Sequence, residues 1–123
     1  MRFRVWLIGV VLALAATAPA AAAGCNGGDV NWHFGKTTRT IWFTSATSPC
    51  QSISNHPENI DRIEITERAE NGLAGKNGPY GVAYVAKPGF KGTDHFVYSV
   101  VSNAHYRKGA GVVSRIEVTV EVQ

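Results

Sequence analysis

Four histidines, two cysteines and nine carboxylates are the residues from which this chain could build chemistry. His33, His56, His95 and His105 fall at no close metal-ligand spacing, so each reads as an exposed structural histidine. His95 and His105, which a strand–turn–strand would bring back toward each other, form the one pair of interest. The serines occupy no strand-elbow context such as G-x-S-x-G. Glu64, Glu67, Glu70, Glu117 and Glu121 alternate with apolar residues or cations, the pattern of a solvated face rather than of paired acids in an apolar setting. The residues therefore point to no catalytic group, no metal and no cofactor, and an enzyme is not expected. Trp32, Trp42, Tyr80 and Tyr106 offer flat faces with polar tips, the raw material of a sugar-stacking platform. Trp42 reads as core, whereas Trp32 and Tyr106 stand in Gly-rich or polar loops and are the candidate ligand contacts.

The compartment is written at the start of the chain. Arg2 and Arg4 precede an apolar run from Val5 to Ala16, and small residues ending in Ala21-Ala22-Ala23 follow. These are the three parts of a signal peptide over residues 1–23. The run is short of the roughly 20 residues that a membrane span needs, and no second one follows, so no span is expected in the mature chain. Of the twelve Lys and Arg, Arg2 and Arg4 leave with the leader, and ten remain against nine acids. That near-neutral balance carries no basic cluster for nucleic acid. In an oxidising periplasmic or secreted destination, Cys25 and Cys50 are expected to form one disulfide. The alternative is a lipidated Cys25, although Ala22-Ala23-Gly24 lacks the leucine usual in a lipobox.

The elements that must position these residues are strands. Residues 24–36 read as an irregular lead-in, and residues 37–123 as one domain. Thr37 to Ser45 is dense in β-branched and aromatic residues and reads as a strand. A short strand around Ile53 lies in the polar connection that follows. Pro57 to Ala69 is ambiguous: Glu58/Arg62 and Glu64/Arg68 sit at helical i,i+4 spacing, while Ile63 and Ile65 alternate with charged residues. The absence of an apolar stripe favours a strand, closed by Asn71-Gly72. Val82, Tyr84 and Ala86 alternate before Pro88-Gly89, the central pair of a type II turn. Phe96, Tyr98 and Val100 point one way along the next strand and His95, Val97, Ser99 and Val101 the other. Ile116, Val118, Val120 and Val122 alternate with polar residues along the last. Short strands separated by regular loop signals imply an all-β, antiparallel sandwich. Its expected core is Tyr84, Phe90, Phe96, Tyr98, Ile116, Val118 and Val120.

The segment YVAKPGFKGTDHFVY, residues 84–98, resembles the bacterial Ig-like, cadherin-like module of surface adhesins. Tyr84, Pro88, Gly89, Phe90, Gly92, Thr93, Asp94, Phe96 and Tyr98 carry the resemblance, and IEVTVEV resembles the family's terminal strand. Ala86 and Asn103 depart from the usual proline and aspartate, and the linker that joins tandem copies is missing, which points to a free-standing copy. The motif reads as architectural: glycines for bends, Phe90 tucked under the sandwich edge, and Asp94 accepting N–H groups within the Gly92–Thr93–Asp94 turn. The family prompts a test for calcium, but Asp29, Glu67, Glu70 and Asp94 are scattered rather than convergent. The resemblance implies an antiparallel Greek-key sandwich of immunoglobulin-like type. It also implies a non-catalytic adhesion-type module that binds another molecule of the cell envelope, protein or glycan, through its loops or an exposed sheet face. A carbohydrate-binding module using Trp32 and Tyr106 is the alternative.

Overall fold

A computed structural model describes residues 30–45 and 49–123. Among these residues seven strands form: β1 (Thr37–Thr44), β2 (Cys50–Ile53), β3 (Ile60–Glu67), β4 (Gly72–Lys76), β5 (Gly81–Ala86), β6 (Gly92–Ser102) and β7 (Val113–Val122). They pair into a four-stranded sheet, β1-β7-β6-β3, and a three-stranded sheet, β2-β5-β4. The antiparallel Greek-key sandwich read from the sequence is what forms, with one parallel pair, β1 on β7. The expected signal peptide, Cys25 and the beginning of the lead-in lie outside the described residues.

Alternation fills the space between the sheets. Ile116, Val118, Val120 and Val122 on β7 turn inward beside Phe96, Tyr98 and Val100 on β6 and Trp42 on β1. Val82, Tyr84 and Ala86 on β5 close the core from the other sheet. Phe96 is its hub: Trp42 meets it edge-on at 5.4 Å, Tyr84 lies parallel to it at 5.9 Å, and Tyr98 lies at 6.2 Å. Every expected core residue is buried except Phe90, which is half-buried and packs against the core from the turn before β6. That turn has the expected form, with Gly89 at φ 81° and the Phe90 N–H donating to the Lys87 carbonyl at 3.0 Å.

Three features depart from a plain alternating pattern. Residues 30–36 form no strand, yet Val30, Trp32 and Phe34 are buried and belong to the core. Along β6, Val97, Ser99 and Val101 are buried as well as their inward neighbours, because this central strand is flanked by β7 and β3, whose opposed residues Arg62, Glu64, Glu67, Arg115 and Glu117 have long side chains. In β3 the register shifts between Ile60 and Arg62, a bulge that lets Ile60 and Ile63, three residues apart, share the inner face. The helical i,i+4 spacing of Glu58/Arg62 and Glu64/Arg68 builds no helix here, and Ile60–Glu67 is a strand. Its charged residues pair as a strand's do, Arg62 with Asp61 and Glu64 at 2.8 Å each.

Candidate interaction surfaces

The residues of the Tyr84–Tyr98 motif meet in a buried polar knot. Asp94, on β6, accepts hydrogen bonds from the Tyr84 hydroxyl at 2.8 Å and from the N–H groups of Glu70, Asn71 and His95 at 3.1, 3.0 and 2.9 Å. The expectation that Asp94 would serve its own turn is corrected here: apart from His95, its donors come from the β3–β4 connection and from the opposite sheet. Burial opposes its ionisation, but the Tyr84 hydroxyl and the three N–H groups outweigh that and hold its carboxyl below the usual range. Burial and the same carboxylate raise the pKa of the Tyr84 phenol. Tyr98 makes the reciprocal tie, from the four-stranded sheet to Ser52 on β2, and burial pushes its phenol up to about 12. Gly72 sits against this knot, where an added Cβ would lie 2.5 Å from the Val85 carbonyl oxygen and 2.7 Å from the Tyr84 hydroxyl. Gly92, at φ 133°, leads Thr93 into β6, where the Thr93 hydroxyl donates to Glu121 at 2.9 Å. With Tyr84, Asp94, Phe96 and Tyr98 committed to the interior, the motif offers no free group to a ligand.

The two proposed ligand contacts come together at one end of the sandwich, where the lead-in, the β2–β3 connection and the β6–β7 loop converge. The exposure expected for Trp32 does not occur. Its ring is only 2% exposed, packed edge-on to Phe34 at 4.8 Å, because it is one of the few large apolar groups available to close that end of the core. Phe34 in turn contacts the half-buried Tyr106 at 4.1 Å with the rings inclined by 36°. These rings form a plug rather than a coplanar platform. Above them opens a cleft of about 460 Å³, lined in part by His33, His56, His105 and Arg107. His95 stands apart on the outer face of the four-stranded sheet, where it meets the Thr119 hydroxyl at 3.3 Å, so the His95–His105 pairing does not form. Among the described residues no group of His, Cys, Asp and Glu is placed to hold a metal ion.

Sequence reasoning missed the other surface. On the outer face of the three-stranded sheet, Leu73 on β4 lies directly opposite Val85 on β5, with exposures of 78% and 43%. Gly75 and Ala83 form the next opposed pair, and Gln51 and Ile53 on β2 continue the face, Ile53 at 71% exposure. The face carries no charged side chain at these positions. The signal was present in the alternation itself, since the outward positions of GLAGK and GVAYVA are not polar. By contrast, the outer face of the four-stranded sheet carries a ladder of ion pairs, Arg39–Glu117–Arg115–Glu67. Hydrogen bonds from Arg39 and then Arg115 lower the Glu117 pKa.

Cys50 is buried at the start of β2 and is not a free thiol, while Cys25, its expected partner, lies outside the described residues. No helix among the described residues is long and apolar enough to cross a membrane. No family model matches this chain, and no curated protein matches it.

Proposed function

We propose that this chain is an exported, non-catalytic interaction module, akin to the Ig-like adhesin modules it resembles, that docks a protein of the cell envelope. The docking surface is the outer face of the three-stranded sheet. The observation that carries this reading is the cross-strand pair Leu73–Val85, extended by Ile53 across an uncharged face. Ile53 stands opposite Gly81, at the other end of the same face, with Gln51, Gly75 and Ala83 between. Exposed apolar side chains on an uncharged face are a mark of protein contact sites. The inclined Phe34 and Tyr106 rings and the buried Trp32 weigh against a flat glycan platform. The test is retention of envelope proteins by the immobilised chain and by its Leu73→Glu and Arg39→Glu variants. A protein held by the parent and by Arg39→Glu but lost with Leu73→Glu supports the reading. Equal retention by all three, or turnover of a generic ester, phosphate or glycoside substrate, overturns it.

A further inference from the structure

The cleft at the loop end is distinct from the sheet face just described, since neither Leu73 nor Val85 lines it. Its walls come from three separate segments: Trp32, His33 and Phe34; Asn55, His56 and Asn59; and His105, Tyr106 and Arg107. Hydrogen bonds hold those segments in place. The Asn55 amide donates to the Trp32 carbonyl at 3.3 Å, joining lead-in to β2–β3 connection. The Asn103 amide donates to the Glu58 carbonyl at 2.8 Å, and the Asn103 N–H donates to the Asn59 carbonyl at 2.9 Å, joining that connection to the β6–β7 loop. The Ser102 hydroxyl donates to the Gly109 carbonyl and accepts from the Val112 N–H, both at 2.8 Å, bracing the loop from its base. The cleft is therefore preformed, and its size lies within the roughly 300–1,000 Å³ of small-ligand sites.

Its chemistry is one-sided. Three of the chain's four histidines and an arginine line it, and no carboxylate does. The Glu58 carboxylate lies 3.5 Å from His56 Nδ1 but stands outside the cleft lining and is largely exposed. His56 itself is held at φ 53°, the one non-glycine residue in the left-handed region among those described. Such strain persists only where the surroundings impose it, and it gathers at functional sites. Two lining residues also carry buried polar atoms without partners, the indole N–H of Trp32 and the side-chain oxygen of Asn55. Unpaired buried groups of this kind are costly and call for an explanation.

We infer that this cleft binds a single acidic sugar, a ring bearing both a carboxylate and hydroxyl groups. The carboxylate lies with Arg107 and the imidazoles, whose donors suit an anion. The ring packs on Tyr106, the half-buried aromatic that lines the cleft beside Phe34. The asparagines and imidazoles meet the hydroxyls. A neutral sugar lacks the partner for Arg107, and a bare anion lacks the ring for Tyr106.

Amide proton–nitrogen correlation spectra of the purified chain test this during titration with D-galacturonate, D-galactose and inorganic phosphate. Galacturonate should shift the amides of His33, His56 and Tyr106 saturably, with galactose and phosphate each at least about tenfold weaker, the loss expected for one charge-assisted hydrogen bond or one ring contact. Arg107→Ala should weaken galacturonate by about as much while the rest of the spectrum stays in place, and Arg107→Lys should recover part of the loss. Equal binding of galactose, equal binding of phosphate, an unchanged affinity in Arg107→Ala, or no saturable shift overturns the assignment.

Discussion

Asp94 is the residue on which the two sheets are tied, and its environment makes the fold acid-sensitive. It is buried, and four donors converge on it. Because its folded pKa lies below its unfolded value, the stability it contributes is present above the ordinary Asp range, about pH 4. That contribution is lost as the pH falls through the folded pKa. Urea midpoints at pH 7 and pH 3 should therefore differ more for the parent than for Asp94→Asn. At pH 7, Asp94→Ala should cost about 3 kcal/mol or more, since it strands buried donors that each cost about 1–3 kcal/mol. A midpoint for Asp94→Asn as acid-sensitive as the parent's would remove Asp94 from this role. Gly72 belongs to the same knot for a steric reason. Gly72→Ala would drive a methyl against the Val85 carbonyl and the Tyr84 hydroxyl, and overpacking of that kind costs about 1–3 kcal/mol. Gly75, whose Cβ position is open, is the control, and Gly75→Ala should leave the urea midpoint nearly unchanged.

At the level of elements, β3 shows how a local irregularity decides which side chains face inward. Ile60 and Ile63 are both buried only because the register shift near Asp61 inserts an extra residue between them. Deleting Asp61 should restore strict alternation and turn Ile60 outward, lowering the urea midpoint sharply, whereas Asp61→Ser keeps the chain length and should leave it close to the parent. Equal midpoints for the two variants would show that the bulge positions nothing. β1 raises a different matter, because it is an edge strand paired in parallel on β7 with Ile41 and Phe43 exposed. Its anchor is Trp42, fully buried against Phe96, and Trp42→Ala should cost about 3–5 kcal/mol in the same assay.

For the whole molecule, the proposed export route and the proposed disulfide are tested together. Mass spectrometry of the exported protein should place its start near Gly24 and find it lighter than the reduced chain by the two hydrogens lost on pairing Cys25 with Cys50. Reduction should then lower stability by about 3–4 kcal/mol, the value of closing a loop of this length. A diacylglyceryl group on Cys25 would overturn both the disulfide and the soluble destination.

Much of this architecture was legible in the chain itself. Ile116, Val118, Val120 and Val122 face one way in any extended backbone, and Pro88-Gly89 specifies its turn through the dihedrals those two residues prefer, so neither needed distant partners. The sandwich and most of its core follow from such local rules. Tertiary structure decided the rest, because burial depends on what the remainder of the chain brings alongside. Trp32 looked like a loop aromatic, and became core because three segments close over it. Asp94 looked like a turn residue, and found its donors 23 and 24 residues away on another connection. His33, His56 and His105 share a cleft although 72 residues separate the first from the last, a proximity that no spacing rule along the chain contains. Leu73 and Val85 form a patch only through the β4–β5 register, which sets them opposite each other on a face that no other element covers.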